Sequence, residues 1–239
     1  MTTQTKAGRP KNGPIADSTS EAMSRLSAGA HNLNIDSKHF KLYATAELDN
    51  AGLLNIQLGR GAVDYESVRT IHSGQSARAD YSGDYTSAAV ELSYAMEPSK
   101  KTLVMPYVSL DYGKVNVDAY TETGAGGMNL NVESQRYDSL IFGLGLKAQH
   151  AISDSVVLSW DTGVGFDKRS DAPETIARFT EGGPSFTTYG HDLDRVVKNA
   201  GLAANVKVFD SGQLSLRYDY TARSGLSDEA VSLSLKLPL

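Results

Sequence analysis

From residue 40 to the end the chain alternates apolar and polar side chains, and this two-residue period limits it to very few folds. In the last nine residues, Val231, Leu233, Leu235, Leu237 and Leu239 take every odd position, with Ser232, Ser234 and Lys236 between them. Side chains alternate across an extended strand, so one face of this segment is hydrocarbon and the other carries hydroxyls and an ammonium. The pattern recurs: Leu214, Leu216, Tyr218 and Tyr220 oppose Ser215, Arg217, Asp219 and Thr221. Val156, Leu158, Trp160, Val164 and Phe166 oppose Ser159, Asp161, Gly163, Gly165 and Asp167. Counted this way, nine strands are expected: 40–48, 53–72, 78–96, 102–120, 140–149, 156–167, 199–208, 214–221 and 231–239. A long set of two-faced strands needs its edges protected, and closure into a barrel removes the edges altogether.

Length and lining decide which side faces water. A tilted strand needs about 9–11 residues to cross a hydrocarbon layer. Several segments reach or exceed that, and 102–120 is far longer than the roughly 5–6 residues of a soluble strand. The polar faces mix Gly, Ser and Asn with charges of both signs, which suits a crowded aqueous interior. The connections alternate as well. Short ones fall at 49–52, 97–101, 150–154 and 210–212, and mostly longer polar ones at 73–82, 121–131, 168–190 and 224–228. Tight turns at one end and large loops at the other are the habit of outer-membrane barrels. The expected fold is therefore all-β: an antiparallel up-and-down transmembrane β-barrel.

Composition removes other classes. No stretch approaches 18 uncharged apolar residues, so no spanning helix is expected. A net charge of −5 without a basic cluster argues against nucleic acid. The negative mean hydropathy is compatible with a barrel, because half of each strand faces water. The absence of Cys discriminates little. Residues 1–14 hold no apolar run resembling an export signal, so a longer precursor is expected.

Six segments carry a resemblance to a known family: 83–92 (GDYTSAAVEL), 106–112 (PYVSLDY), 120–125 (YTETGA), 135–140 (QRYDSL), 213–220 (QLSLRYDY) and 223–228 (RSGLSD). In this order and spacing, residues 39–239 resemble the C-terminal translocator domain of autotransporters, the type V secretion family. The resemblance implies a twelve-stranded barrel in the outer membrane of a Gram-negative bacterium. Its partners would be outer-membrane lipid, the barrel-insertion machinery and an N-terminally attached passenger polypeptide, which is absent from this chain. Its role would be to export or display that passenger. Laid along the family, 40–48 falls on about the fourth strand, leaving nine or ten of twelve. An even number closes antiparallel throughout, so residues 30–36, with Leu33 and Ile35 on one face, are a candidate tenth strand. Members usually end in Phe or Trp, whereas this chain ends in Leu239. Val231, Leu233, Leu235, Leu237 and Leu239 are its candidate insertion signal.

Residues 1–38 read as a separate, flexible segment ahead of a barrel at 39–239. Within it, Ser18 and Glu21 fit a capping box for a short helix over 21–26, and a strand is the alternative. No Asn-Asn pair of the kind some family members cleave is present.

No constellation earns a catalytic, metal or cofactor assignment. The histidines, His31, His39, His72, His150 and His191, do not pair at metal-ligand spacing, and there is no nucleophile elbow or phosphate loop. Inward charges are expected to ring the lumen: Lys41, Glu47, Glu91, Asp111, Lys147, Asp161, Lys207, Arg217, Asp219 and Lys236. The glycines at 59, 61, 143, 145, 163, 165 and 201 mostly fall on inward positions, where they make room for neighbouring tyrosine rings or relieve crowding in the lumen. Tyr94, Tyr107, Tyr112, Tyr218, Tyr220 and Trp160 are candidates for aromatic girdles at the lipid boundary, with ordinary strand aromatics as the alternative. Two other readings stay open: an outer-membrane hydrolase with His191, Asp192 and Asp194 in its loops, and a passive pore or adhesin barrel.

Overall fold

The structure, a computed structural model, describes residues 16–28, 31–71, 74–169, 173–190, 194–208, 212–224 and 226–236. In chain order the strands are β1 (Ala16–Ala28), β2 (His31–Glu47), β3 (Gly52–Thr70), β4 (Ser76–Tyr94), β5 (Met96–Ser99), β6 (Thr102–Val117), β7 (Tyr120–Thr121) and β8 (Leu130–Val132). They continue as β9 (Gln135–Ala151), β10 (Val156–Asp167), β11 (Glu174–Phe179), β12 (Phe186–Tyr189), β13 (Val196–Val208), β14 (Gly212–Arg223) and β15 (Leu226–Lys236). Ten of them form one curled antiparallel meander in the order β1-β2-β3-β4-β6-β9-β10-β13-β14-β15, with β5 beside β6. This is a barrel wall.

Cross-strand register separates two faces. Leu58 sits opposite Leu42 and Ala88, Leu110 opposite Val90 and Phe142, and Leu216 opposite Ala204 and Leu233. This face is apolar yet exposed: Leu144 is 61% accessible and Leu233 70%. A water-soluble sheet would bury such a face. Along β6 and β9 the apolar stretch has sharp limits. The row Lys114–Asp138 ends it above and the row Thr102–His150 ends it below, and Val108 faces Leu144 at its centre. Twelve residues at about 3.4 Å each, tilted by about 40°, span roughly 30 Å along the normal, the thickness of a hydrocarbon core.

The other face is concave, because side chains from strands two apart meet on it. Its lower end holds a small apolar core of Leu53, Ala95, Leu103 and Met105. The large loops fold too. Residues 120–132 and 174–189 build a second sheet, β12-β11-β8-β7, which the alternation pattern did not anticipate.

The N-terminal reading needs correction. Residues 16–28 form β1, paired with β2 from Ala16–Tyr43 to Ala28–His31, and no helix forms over 21–26. An isolated helix this short is marginal, whereas a strand here satisfies the edge of β2. Residues 30–36 are not an extra strand either. All but the first belong to the upper half of β2, which runs across the 38/39 boundary. The tenth strand is β1. The loop expected at 73–82 is shorter, since β4 begins at Ser76.

Candidate functional site

The concave face is built from polar side chains that link distant strands. On one side Thr45 donates to Asn55 Oδ1 (2.7 Å), and Asn55 donates to Glu91 Oε1 (3.2 Å). Lys147 Nζ reaches the same carboxylate at 2.5 Å, passing over β6 from β9 to β4. The Lys147 ammonium also lies 4.9 Å from the centroid of the Tyr107 ring. On the other side Arg217 of β14 spans β13 to meet Asp161 of β10 at 2.8 Å, and it holds Asp219 on its own strand. Gly201 permits this: a Cβ there would fall 2.6 Å from Asp161 Oδ1 and collide with the guanidinium. Gly145 and Gly163 likewise leave the space that the Tyr107 hydroxyl occupies.

Of the ten predicted inward charges, Glu91 with Lys147, and Asp161 with Arg217 and Asp219, are therefore brought together. Asp111 accepts a hydrogen bond from Ser109 (2.8 Å). Lys41 lies beside Gly59. Glu47, Lys207 and Lys236 sit near the short-turn end, and Lys236 lies opposite Gln213 on the exposed strand β15. Tyr107 is not a girdle residue, since it belongs to the concave face. Val231, Leu233 and Leu235 are exposed on the apolar face, while Leu237 and Leu239 lie outside the described residues. So do His191 and Asp192.

Two clusters escaped the sequence reading. Asp167, 1% exposed, accepts from Ser139 (2.8 Å), the Leu140 and Arg169 amides (3.0 and 3.1 Å) and Arg223 (3.0 Å), pinning β9, β10 and β14 together. At the loop end, Arg69 makes a two-pronged ion pair with buried Glu122 (2.9 and 2.5 Å) and also donates to the Met128 carbonyl. The Leu130 amide donates to Glu122 as well. Beside this pair, Tyr65, Tyr81 and Tyr120 stack with centroids 5.0 and 4.0 Å apart. Burial, more than the nearby Glu122, raises the Tyr120 phenol above its ordinary value.

Residues 16–219 match the autotransporter beta-domain family. The chain belongs to that family. As an autotransporter beta-domain it is an outer-membrane translocator barrel of a Gram-negative bacterium. Its fold is similar to the translocator domain of NalP from Neisseria meningitidis, with TM-score 0.77 and 18% identity, covering 96% of this chain and 76% of that one. It also resembles the beta domain of Bordetella BrkA, with TM-score 0.53 and 13% identity, covering 92% of this chain and 88% of that one. In sequence it is 26% identical over 223 residues to the esterase EstA of Pseudomonas aeruginosa, and equally to that of Pseudomonas putida. The match takes in 90% of this chain and 34% of EstA, so the chain spans about a third of the length of these relatives. Beta-domains of this family are not themselves catalysts.

Proposed function

We propose that the concave face lines the path of an N-terminally attached passenger, with Glu91, Lys147, Asp161, Arg217 and Asp219 at its wall. The observation that carries this reading is the outer apolar band of about 30 Å, which commits the opposite face to water. Sheet hydrogen bonding satisfies the backbone in lipid, and the paired charges stiffen the wall while staying hydrated. Delivery to the membrane falls to the barrel-insertion machinery, with the alternating aliphatics of β15 as its signal. The esterase named in the relatives belongs, on this reading, to the two thirds of EstA that this chain does not span.

The test is a reporter fused ahead of residue 1 and expressed in a Gram-negative host. Export predicts a reporter that external protease removes from intact cells. A reporter that stays protected although the barrel migrates as a heat-modifiable, folded band refutes the proposal. A hydrolytic activity of the chain itself, abolished by His191→Ala, would instead favour the enzyme reading.

A further inference from the structure

On β6 and β9 the lower border of the apolar band is the Thr102–His150 pair, hydroxyl and imidazole 3.0 Å apart, with Lys100 and Lys101 exposed in the turn below it. The upper border is cationic. In one cross-strand row Arg60 lies opposite Thr86, Thr86 opposite Lys114 and Lys114 opposite Asp138. One row higher, Asp84 lies opposite Asn116 and Asn116 opposite Arg136. Arg169, in the turn after β10, reaches into the same zone.

Asp138 organises these groups. Its Oδ2 accepts from Arg136 at 2.9 Å and from Arg169 at 3.0 Å, holding two guanidinium groups side by side. Both remain open to solvent, with 58% and 48% of their side chains accessible. The Arg169 guanidinium also sits 6.0 Å from the centroid of Tyr112, the outward aromatic next below Lys114. Asp84, the other carboxylate here, accepts from the Asn116 amide (2.9 and 3.0 Å). From β3 to the turn after β10 the zone thus holds five cations (Arg60, Lys114, Arg136, Lys168, Arg169) and two anions (Asp84, Asp138), a balance of +3 on a chain of net charge −5. Higher on the same face the charge turns negative again, at Asp36, Asp64, Glu66 and Asp80.

We infer that this border binds the phosphate groups of lipid headgroups in the leaflet on the loop side of the membrane. The height is that of a headgroup, directly above the last lipid-facing residues, Tyr112 and Leu140. The two guanidinium groups present fixed forks, which suit phosphate oxygens, and Lys114 adds a mobile point charge. A phosphate anchored by acyl chains gains both this charge contact and the apolar wall below it. A free phosphate gains only the first. The inference rests on the apolar face meeting lipid, and it does not depend on what passes through the interior.

The test uses the full chain folded in neutral detergent micelles, which need no passenger, so its failure leaves translocation standing. The probes are a diphosphoryl glycolipid, the same lipid stripped of its phosphates, and inorganic phosphate, with binding read by native mass spectrometry. The phosphorylated lipid should bind, and each of Lys114→Gln and Arg136→Gln should weaken it about fivefold, equivalent to about 1 kcal/mol per charge near a membrane surface. The stripped lipid should bind no better to the parent than to the variants. Lys114→Gln breaks no ion pair of the Asp138 cluster, so it carries the test if Arg136→Gln fails to fold. Equal binding of stripped and phosphorylated lipid overturns the inference. So does unchanged binding by Lys114→Gln, or displacement of the lipid by millimolar inorganic phosphate.

Discussion

Placing a charge at Leu144 tests the orientation of the whole wall. Leu144 lies six residues from Asp138 and six from His150 on β9, between Val108 and Val164 on the neighbouring strands. Six residues at about 3.4 Å and a tilt of about 40° put it roughly 15 Å from either border, at the bilayer midplane. Leu144→Lys should therefore destabilise the folded protein by about 2–4 kcal/mol, the cost of a lysine at that depth. Leu140→Lys, on the same strand and face but next to the border, should cost about 0–1 kcal/mol. Ser109→Lys, on the concave face beside Asp111, should fall in the same small range, since its ammonium stays in water. The assay is urea unfolding in phospholipid vesicles, followed by the fluorescence of Trp160, the single tryptophan of the chain, which is 41% exposed on the apolar face. If Leu144→Lys costs no more than Ser109→Lys, the apolar face does not meet hydrocarbon, and the reasoning from exposure and register fails.

The Glu91–Lys147 pair invites a double-mutant cycle. Each side chain is partly hydrated, so Lys147→Met or Glu91→Gln alone should cost about 1 kcal/mol, and the double variant should regain much of it, as measured by the same unfolding assay. Gly163→Val should cost about 1–3 kcal/mol by forcing the Tyr107 hydroxyl and the Asn199 side-chain oxygen aside, and Tyr107→Ser should recover part of it. No recovery at all, read in the unfolding midpoint, would mean that Asn199 and the Leu144 carbonyl, and not Tyr107, limit the space. Arg69→Ala leaves buried Glu122 without its partner and should loosen the loop over 118–134. Limited proteolysis should then cut that loop faster.

What could be read from the residues follows the range over which each signal acts. Alternation is local: two neighbours in sequence point to opposite faces, so the apolar rows of β6, β9, β10, β14 and β15 were visible without a partner. Parity alone also sets Tyr107 against Val108 and Leu110, so its place on the concave face was legible and was overridden by the expectation of an aromatic girdle. The strand at 16–28 was not legible in this way. Its Ser-rich sequence fits a helix cap as well as a strand, and the deciding term is the open edge of β2.

Side-chain partnerships lay further out of reach. Glu91 meets Lys147, and Asp161 meets Arg217, across 56 residues of chain in each case, and only the register of the intervening strands sets them level. The same holds for Arg69 with Glu122, and for the loop sheet in which β8 pairs with β11. By itself the sequence determined a two-faced, membrane-height antiparallel wall, because period and length are properties of single segments. The tertiary structure alone decided which charges neutralise one another, where the loops fold, and that two guanidinium groups share one carboxylate at the upper border. Those outcomes depend on how strands slide past each other and how the sheet curls, and no single segment encodes either.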